Sequence, residues 1–148
     1  MKRTLVACLV AVAVTASVVG VAHAAAPRIV IVSGKPLARQ VVISDWAEIV
    51  SVVQGVVSVR PVPRAQLAGR PRLKVSMFWG PIWNEYLESG NDASALRPRQ
   101  ADQFGGFYPT WRGHRALIDL PWAGRWPRAV SAKALRILRS YGVPIRLT

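Results

Sequence analysis

Six tryptophans and a lopsided supply of cations are the residues of this chain best suited to chemistry. Trp111, Trp122 and Trp126 fall in loop-like stretches beside Gly, Pro and Arg. There an indole ring can stack on a sugar face or a nucleobase, or lie at a membrane interface. Trp46, Trp79 and Trp83 fall at apolar positions and are expected in the core. Lys and Arg number 20 against 7 Asp and Glu, a formal charge of +13. The excess is local. Between Ile49 and Asn84 the cations Arg60, Arg64, Arg70, Arg72 and Lys74 occur without a carboxylate, and from Arg112 to Arg146 Asp119 is the lone acid. Arg125, Arg128, Lys133, Arg136 and Arg139 make up the dense part of that second stretch. With Trp111, Trp122 and Trp126 they form the candidate ligand-binding set. A field of this sign attracts anionic polymers. The competing explanation is a solvated basic surface in an Arg-rich chain.

Catalytic groups are sparse. Beyond residue 24 the single histidine is His114. A catalytic imidazole needs a partner within hydrogen-bond reach. Asp119, five residues on, would point to the opposite face of a shared strand. The spacing therefore predicts a surface loop histidine. No G-x-S-x-G elbow, H-E-x-x-H helix or phosphate-binding loop occurs, so neither a catalytic centre nor a cofactor is assigned. With so few His and Cys, no metal site is expected. A glycosidase needs only two carboxylates. The acids available are Asp45, Glu48, Glu85, Glu88, Asp92, Asp102 and Asp119. Asp45 and Glu48 read as helix caps, which leaves Glu85 and Asp119 as the pair to inspect for hydrolysis.

The N-terminus reads as a secretory signal. Met1-Lys2-Arg3 is a positive n-region, Thr4 to Val19 carries no charge, and Ala22-His23-Ala24 is a small-x-small cleavage site. The expected division is a signal peptide over 1–24 and a single domain over 25–148. An uncleaved N-terminal anchor is the alternative. Leu5-Val6-Ala7-Cys8 resembles a lipobox but comes before the apolar core. Cleavage would remove Lys2, Arg3 and Cys8, lower the charge from +13 to +11, and leave a chain without cysteine, hence without a disulfide. No later segment is apolar enough to span a membrane.

The elements that must position these side chains follow from periodicity. Arg28 to Ser33 is apolar on both faces and predicts a buried strand; Gln40 to Ile43 predicts a second. Asp45 and Glu48 open a helix with Trp46, Ile49, Val50, Val53 and Val57 on one stripe. Val56 to Arg60 is alternatively a strand. Leu73, Val75, Met77 and Trp79 alternate as a clear strand. Gly80-Pro81 starts a short helix with Ile82, Trp83, Tyr86 and Leu87 inward, and Gly90 ends it. Pro98 to Phe104 predicts a helical turn or two, stopped by Gly105-Gly106. Arg115 to Leu120 predicts a strand, and Pro121 to Pro127 a loop. The last helix has Ser131 as N-cap, Leu135 and Leu138 inward, and Gly142 as C-cap. Ile145 to Leu147 predicts an edge strand. The order lacks a regular βαβ rhythm. It predicts an α+β domain with a sheet of four to six strands and short helices on one face; a small α/β sandwich is the alternative.

Phe78-Trp79-Gly80-Pro81-x-Trp83-Asn84-x-Tyr86, then Gln100-Ala101-x-Gln103-Phe104-Gly105-x-Phe107-Tyr108-Pro109, and a Leu-rich helix closing on Gly142-Val143-Pro144, resemble small exported bacterial proteins of uncharacterised function. The resemblance implies export and brings no activity, substrate or catalytic residue. Composition and resemblance together lead to a non-enzymatic domain that binds an anionic or polysaccharide component of the cell envelope. Nucleic acid is the weakest partner, for want of a reading motif. A carboxylate hydrolase and an interaction module for an envelope protein are the alternatives.

Overall fold

The structure is a computed structural model that describes residues 26–57, 62–90, 92, 95–123 and 126–148, without the side chains of Arg64 and Trp83. The expected signal segment 1–24, Arg60 and Arg125 lie outside the described residues.

The elements in chain order are β1 (Ile29–Ser33), β2 (Val41–Ile43), α1 (Trp46–Gln54), β3 (Val56–Val57), β4 (Leu73–Phe78), α2 (Ile82–Glu88), β5 (Gln103–Tyr108), β6 (Thr110–Trp111), β7 (Leu117–Asp119), β8 (Arg128–Val130), α3 (Ala132–Ser140) and β9 (Arg146–Leu147). Seven strands form one antiparallel sheet, in the order β2-β1-β4-β5-β7-β8-β3. The strands β6 and β9 pair in parallel apart from it. The fold is α+β as expected, with seven strands in the sheet in place of four to six.

Alternation along the strands gives the sheet two unlike faces. One face presents Val30 and Val32 of β1, Leu73, Val75 and Met77 of β4, Phe107 of β5 and Ile118 of β7. The helices α1 and α3 pack on it through Ile49, Val52, Val53, Ala134 and Leu138, forming the main core. The other face carries two smaller clusters. Ile29, Ile31 and Phe78 lie under Tyr86 of α2 and Leu96, while Tyr108, Leu117 and Ala129 lie under Leu67 of the 3-10 turn Arg64–Leu67. The helices thus divide between the two faces. The physical reason is β1, which is buried on both sides and needs cover on each.

Local chemistry fixes the helix ends. The Asp45 carboxylate caps α1 by accepting from the Glu48 backbone N–H at 2.9 Å. Glu48 does not return the bond to Asp45. Its carboxylate accepts the Tyr141 hydroxyl proton and ties α1 to the end of α3. Burial, and secondarily this bond, push the Tyr141 phenol up to about 12. Ser131 caps α3 through the Ala134 N–H. Gly142, at φ +82°, is the left-handed residue one place beyond the C-cap Tyr141. The bonds Gly142 N to Arg139 O and Val143 N to Leu138 O complete a Schellman motif.

The helical turn expected from Pro98 is present as the 3-10 turn Pro98–Gln100, but it ends early, and Gly105-Gly106, expected as a stop, lie inside the central strand β5. Close approach of the Asp119 backbone demands glycine at 105, and the Arg72 side chain crowds 106. A Cβ on Gly105 would lie 2.2 Å from the Asp119 carbonyl oxygen, and one on Gly106 2.3 Å from Nε of Arg72. Trp46 also departs from expectation. It sits in the first turn of α1, 45% exposed, with the Arg28 guanidinium 5.1 Å from its ring. Leu87 and Val57 are exposed, and Trp79 and Leu135 are half-buried at the margin of the main core. The Trp83 side chain and residues 58–60 lie outside the described residues.

Candidate functional site

The expected ligand-binding residues fall into three places. Lys133, Arg136 and Arg139 are exposed on the outer side of α3, spaced by three residues so that they form a stripe along the helix. That helix carries no carboxylate. Its burial falls on Ala134 and Leu138, which turns the cations to solvent. Beyond its end, Arg139 and Arg146 flank a shallow depression of about 330 Å³ floored by Gly142, Val143, Pro144 and Ile145.

Trp122 and Trp126 lie in the connection between β7 and β8, 38% and 41% exposed. Trp122 is fixed by an edge-to-face contact with Trp79, ring centres 5.5 Å apart. The Asp102 carboxylate supports that corner by accepting from the N–H groups of Trp79 at 2.7 Å and Gly80 at 3.3 Å. Trp126 stands just before β8, where Arg128 is exposed and donates through Nε to the Ala123 carbonyl at 2.8 Å. Trp111 is placed apart from this pair. It belongs to β6, half-buried, paired with Leu147, and covered by the Arg112 guanidinium at 4.4 Å. Arg125 lies outside the described residues.

The carboxylates take separate stations. Asp45 caps α1, Glu48 holds Tyr141, and Asp102 holds the turn before α2. Glu85 is exposed on α2, whereas Asp119 lies on β7 opposite Gly106. Among the described residues no group of three or more His, Cys, Asp or Glu converges to hold a metal ion.

Sequence reasoning missed a second basic surface, on the sheet face away from α1 and α3. Arg72 lies over Gly106 and donates from Nη2 to the Gly105 carbonyl at 3.2 Å. Lys74 reaches 4.1 Å from the centre of the Phe104 ring, and Arg70 and Arg72 each stand 5.9 Å from the Tyr108 ring. The signal was available in the alternation of β4, whose inward Leu73, Val75 and Met77 put Lys74 on the far side. The register to Phe104 and Gly106 was not available, because Gly105-Gly106 looks like a break in the sequence and not the middle of a strand.

No family model, no curated protein and no solved structure shows a significant match to this chain.

Proposed function

We propose that this chain is an exported, non-enzymatic domain that binds an anionic or polysaccharide component of the cell envelope through the outer side of α3. One observation carries the reading: Lys133, Arg136 and Arg139 stand exposed in a line on a helix without a carboxylate. The line runs on toward Arg146 across the depression at the helix end. Cations three residues apart on one helix are surface neighbours whose fields sum, and a polymer gains by releasing its counterions there. Trp122 and Trp126 are partly exposed indoles of the kind that stack on sugar units. The reading of export rests on the order of the first 24 residues: charged n-region, uncharged stretch, Ala22-His23-Ala24.

The test is sedimentation of the protein with purified cell wall across a salt series, for the parent and for Lys133→Glu/Arg136→Glu. Both positions are exposed, so the double variant keeps the fold. Binding by the parent that falls steeply with salt, and a clear loss in the variant, are expected. A parent that stays in the supernatant at low salt, or a variant that binds as well as the parent, overturns the proposal.

A further inference from the structure

On the opposite face of the sheet, at the start of β7, two distant stretches of chain meet around a pocket of about 110 Å³. Its walls are Gln66, Arg70, His114 and Arg115, and its apolar part is Val62 and Leu117. Every polar side chain in that wall donates hydrogen bonds, three of the four are cationic or become so on protonation, and none is a carboxylate. The volume is well below the roughly 300–1,000 Å³ of pockets that enclose drug-sized ligands. It suits a group of a few heavy atoms.

The wall is held in place before any ligand arrives. Trp111 and His114 exchange backbone bonds of 3.0 and 2.9 Å around a two-residue turn. Both central residues, Arg112 at φ +46° and Gly113 at φ +80°, are left-handed, as in a type I′ turn. Arg112 adopts that conformation without being glycine, so the turn is imposed by its surroundings. Nη2 of Arg70 donates to the carbonyls of Pro109 at 3.3 Å and Arg115 at 3.0 Å, which anchors both the guanidinium and the backbone of Arg115. Nε of Arg70 is buried without an acceptor. Burial lowers the Arg70 pKa, opposed by the neighbouring Tyr108. No carboxylate in the pocket wall balances this guanidinium, so an anion seated in the pocket would be attracted to it.

We infer that this pocket is a binding site for a small tetrahedral oxyanion, phosphate or sulfate, either free or as the end group of a larger molecule. Arg70 supplies a fixed charge at the back. Arg115 and His114 close on the anion from the turn side, and Gln66 donates from the 3-10 segment. The site is separate from the stripe on α3, and the two are distinguished by the same pair of variants.

The experiment is a titration of the full chain at low ionic strength by calorimetry, with inorganic phosphate, sulfate and glycerol 3-phosphate, against chloride at matched ionic strength. Saturable binding of phosphate or sulfate above the chloride control is expected. Equal binding of glycerol 3-phosphate assigns the site to an end group, and its exclusion assigns it to the free ion; either supports the shared chemistry. Arg115→Gln keeps the backbone bond to Arg70 and should weaken binding roughly 10-fold or more. Lys133→Glu/Arg136→Glu, remote from the pocket wall, should weaken it far less than Arg115→Gln does. Should Arg70→Gln fail to fold, Arg115→Gln still decides the matter. Binding no better than chloride, or an Arg115→Gln protein that binds as well as the parent, overturns the inference.

Discussion

The two faces of the seven-stranded sheet are built to different rules. Under α1 and α3 the face is continuous hydrocarbon, from Val30 through Met77 and Phe107 to Ile118, and its cations are exported to the outside of the helix layer. The other face carries two separate apolar clusters, under α2 and under the 3-10 turn, with Lys74, Arg72 and Arg70 on the face as well. The helical face holds the domain together and presents charge at a distance from the sheet. The opposite face sets partly desolvated guanidinium groups directly against the strands.

Matched substitutions on the two faces should differ in cost. The largest effect is expected at Phe107, fully buried among the helical-face residues. Phe107→Ala should cost about 3–5 kcal/mol in denaturant melts. Phe104→Ala, three residues earlier on the open face and 43% exposed, should cost less than about 1 kcal/mol. Equal losses would mean that the open face is as closely packed as the other.

The neighbouring glycines give the next contrast. Gly105→Ala drives a Cβ against the Asp119 backbone and should destabilise by about 1–3 kcal/mol, because the partner strand must move. Gly106→Ala meets the mobile end of Arg72 and should cost clearly less. A melt in which Gly106→Ala is the worse of the two would show that Arg72 is held rigidly.

Much of the helical face was legible in the sequence, and its legibility has a physical cause. Periodicity reports burial on one side of an element, so β1, β4, β7, α1 and α3 could all be placed from alternation or helical spacing, and Asp45 and Ser131 from capping chemistry. The strand β5 could not. Gly105 and Gly106 are dictated by atoms more than ten residues away, Asp119 and Arg72, and sequence shows only that two breakers adjoin. The Arg70 pocket was hidden for the same reason, since its walls come from residues 62–70 and 114–117. Trp46 shows the converse error. Its spacing matches the buried stripe of α1, but its place in the first turn leaves it exposed beside Arg28.

Two smaller effects refine the contrast. Tyr141→Phe removes the tie between α3 and α1 and should cost about 1 kcal/mol near neutral pH, since the phenol is partly exposed. The folded state favours the protonated phenol, with its pKa raised from 10.0 to about 12. Its contribution is therefore complete below pH 10 and is lost as the pH rises toward 12. Denaturation midpoints of parent and Tyr141→Phe should converge over that window; a constant gap would show that the bond does not titrate as described. Ser76, on the open face, is fully buried with Oγ lacking an acceptor. Ser76→Ala should leave stability within about 0.5 kcal/mol or raise it. A loss above about 1 kcal/mol would reveal a hydrogen bond that the packing conceals.

Whether an envelope polymer is held by charge on the helix layer is decided by altering the charge on one face at a time. Cosedimentation with anionic cell wall at low and high salt should be run on the parent, on Lys133→Glu/Arg136→Glu and on Arg115→Gln. Binding through α3 requires salt-sensitive binding by the parent, retained in Arg115→Gln and lost in the α3 double variant. Loss in Arg115→Gln with retention in the double variant would contradict it and move polymer recognition to the opposite face of the sheet.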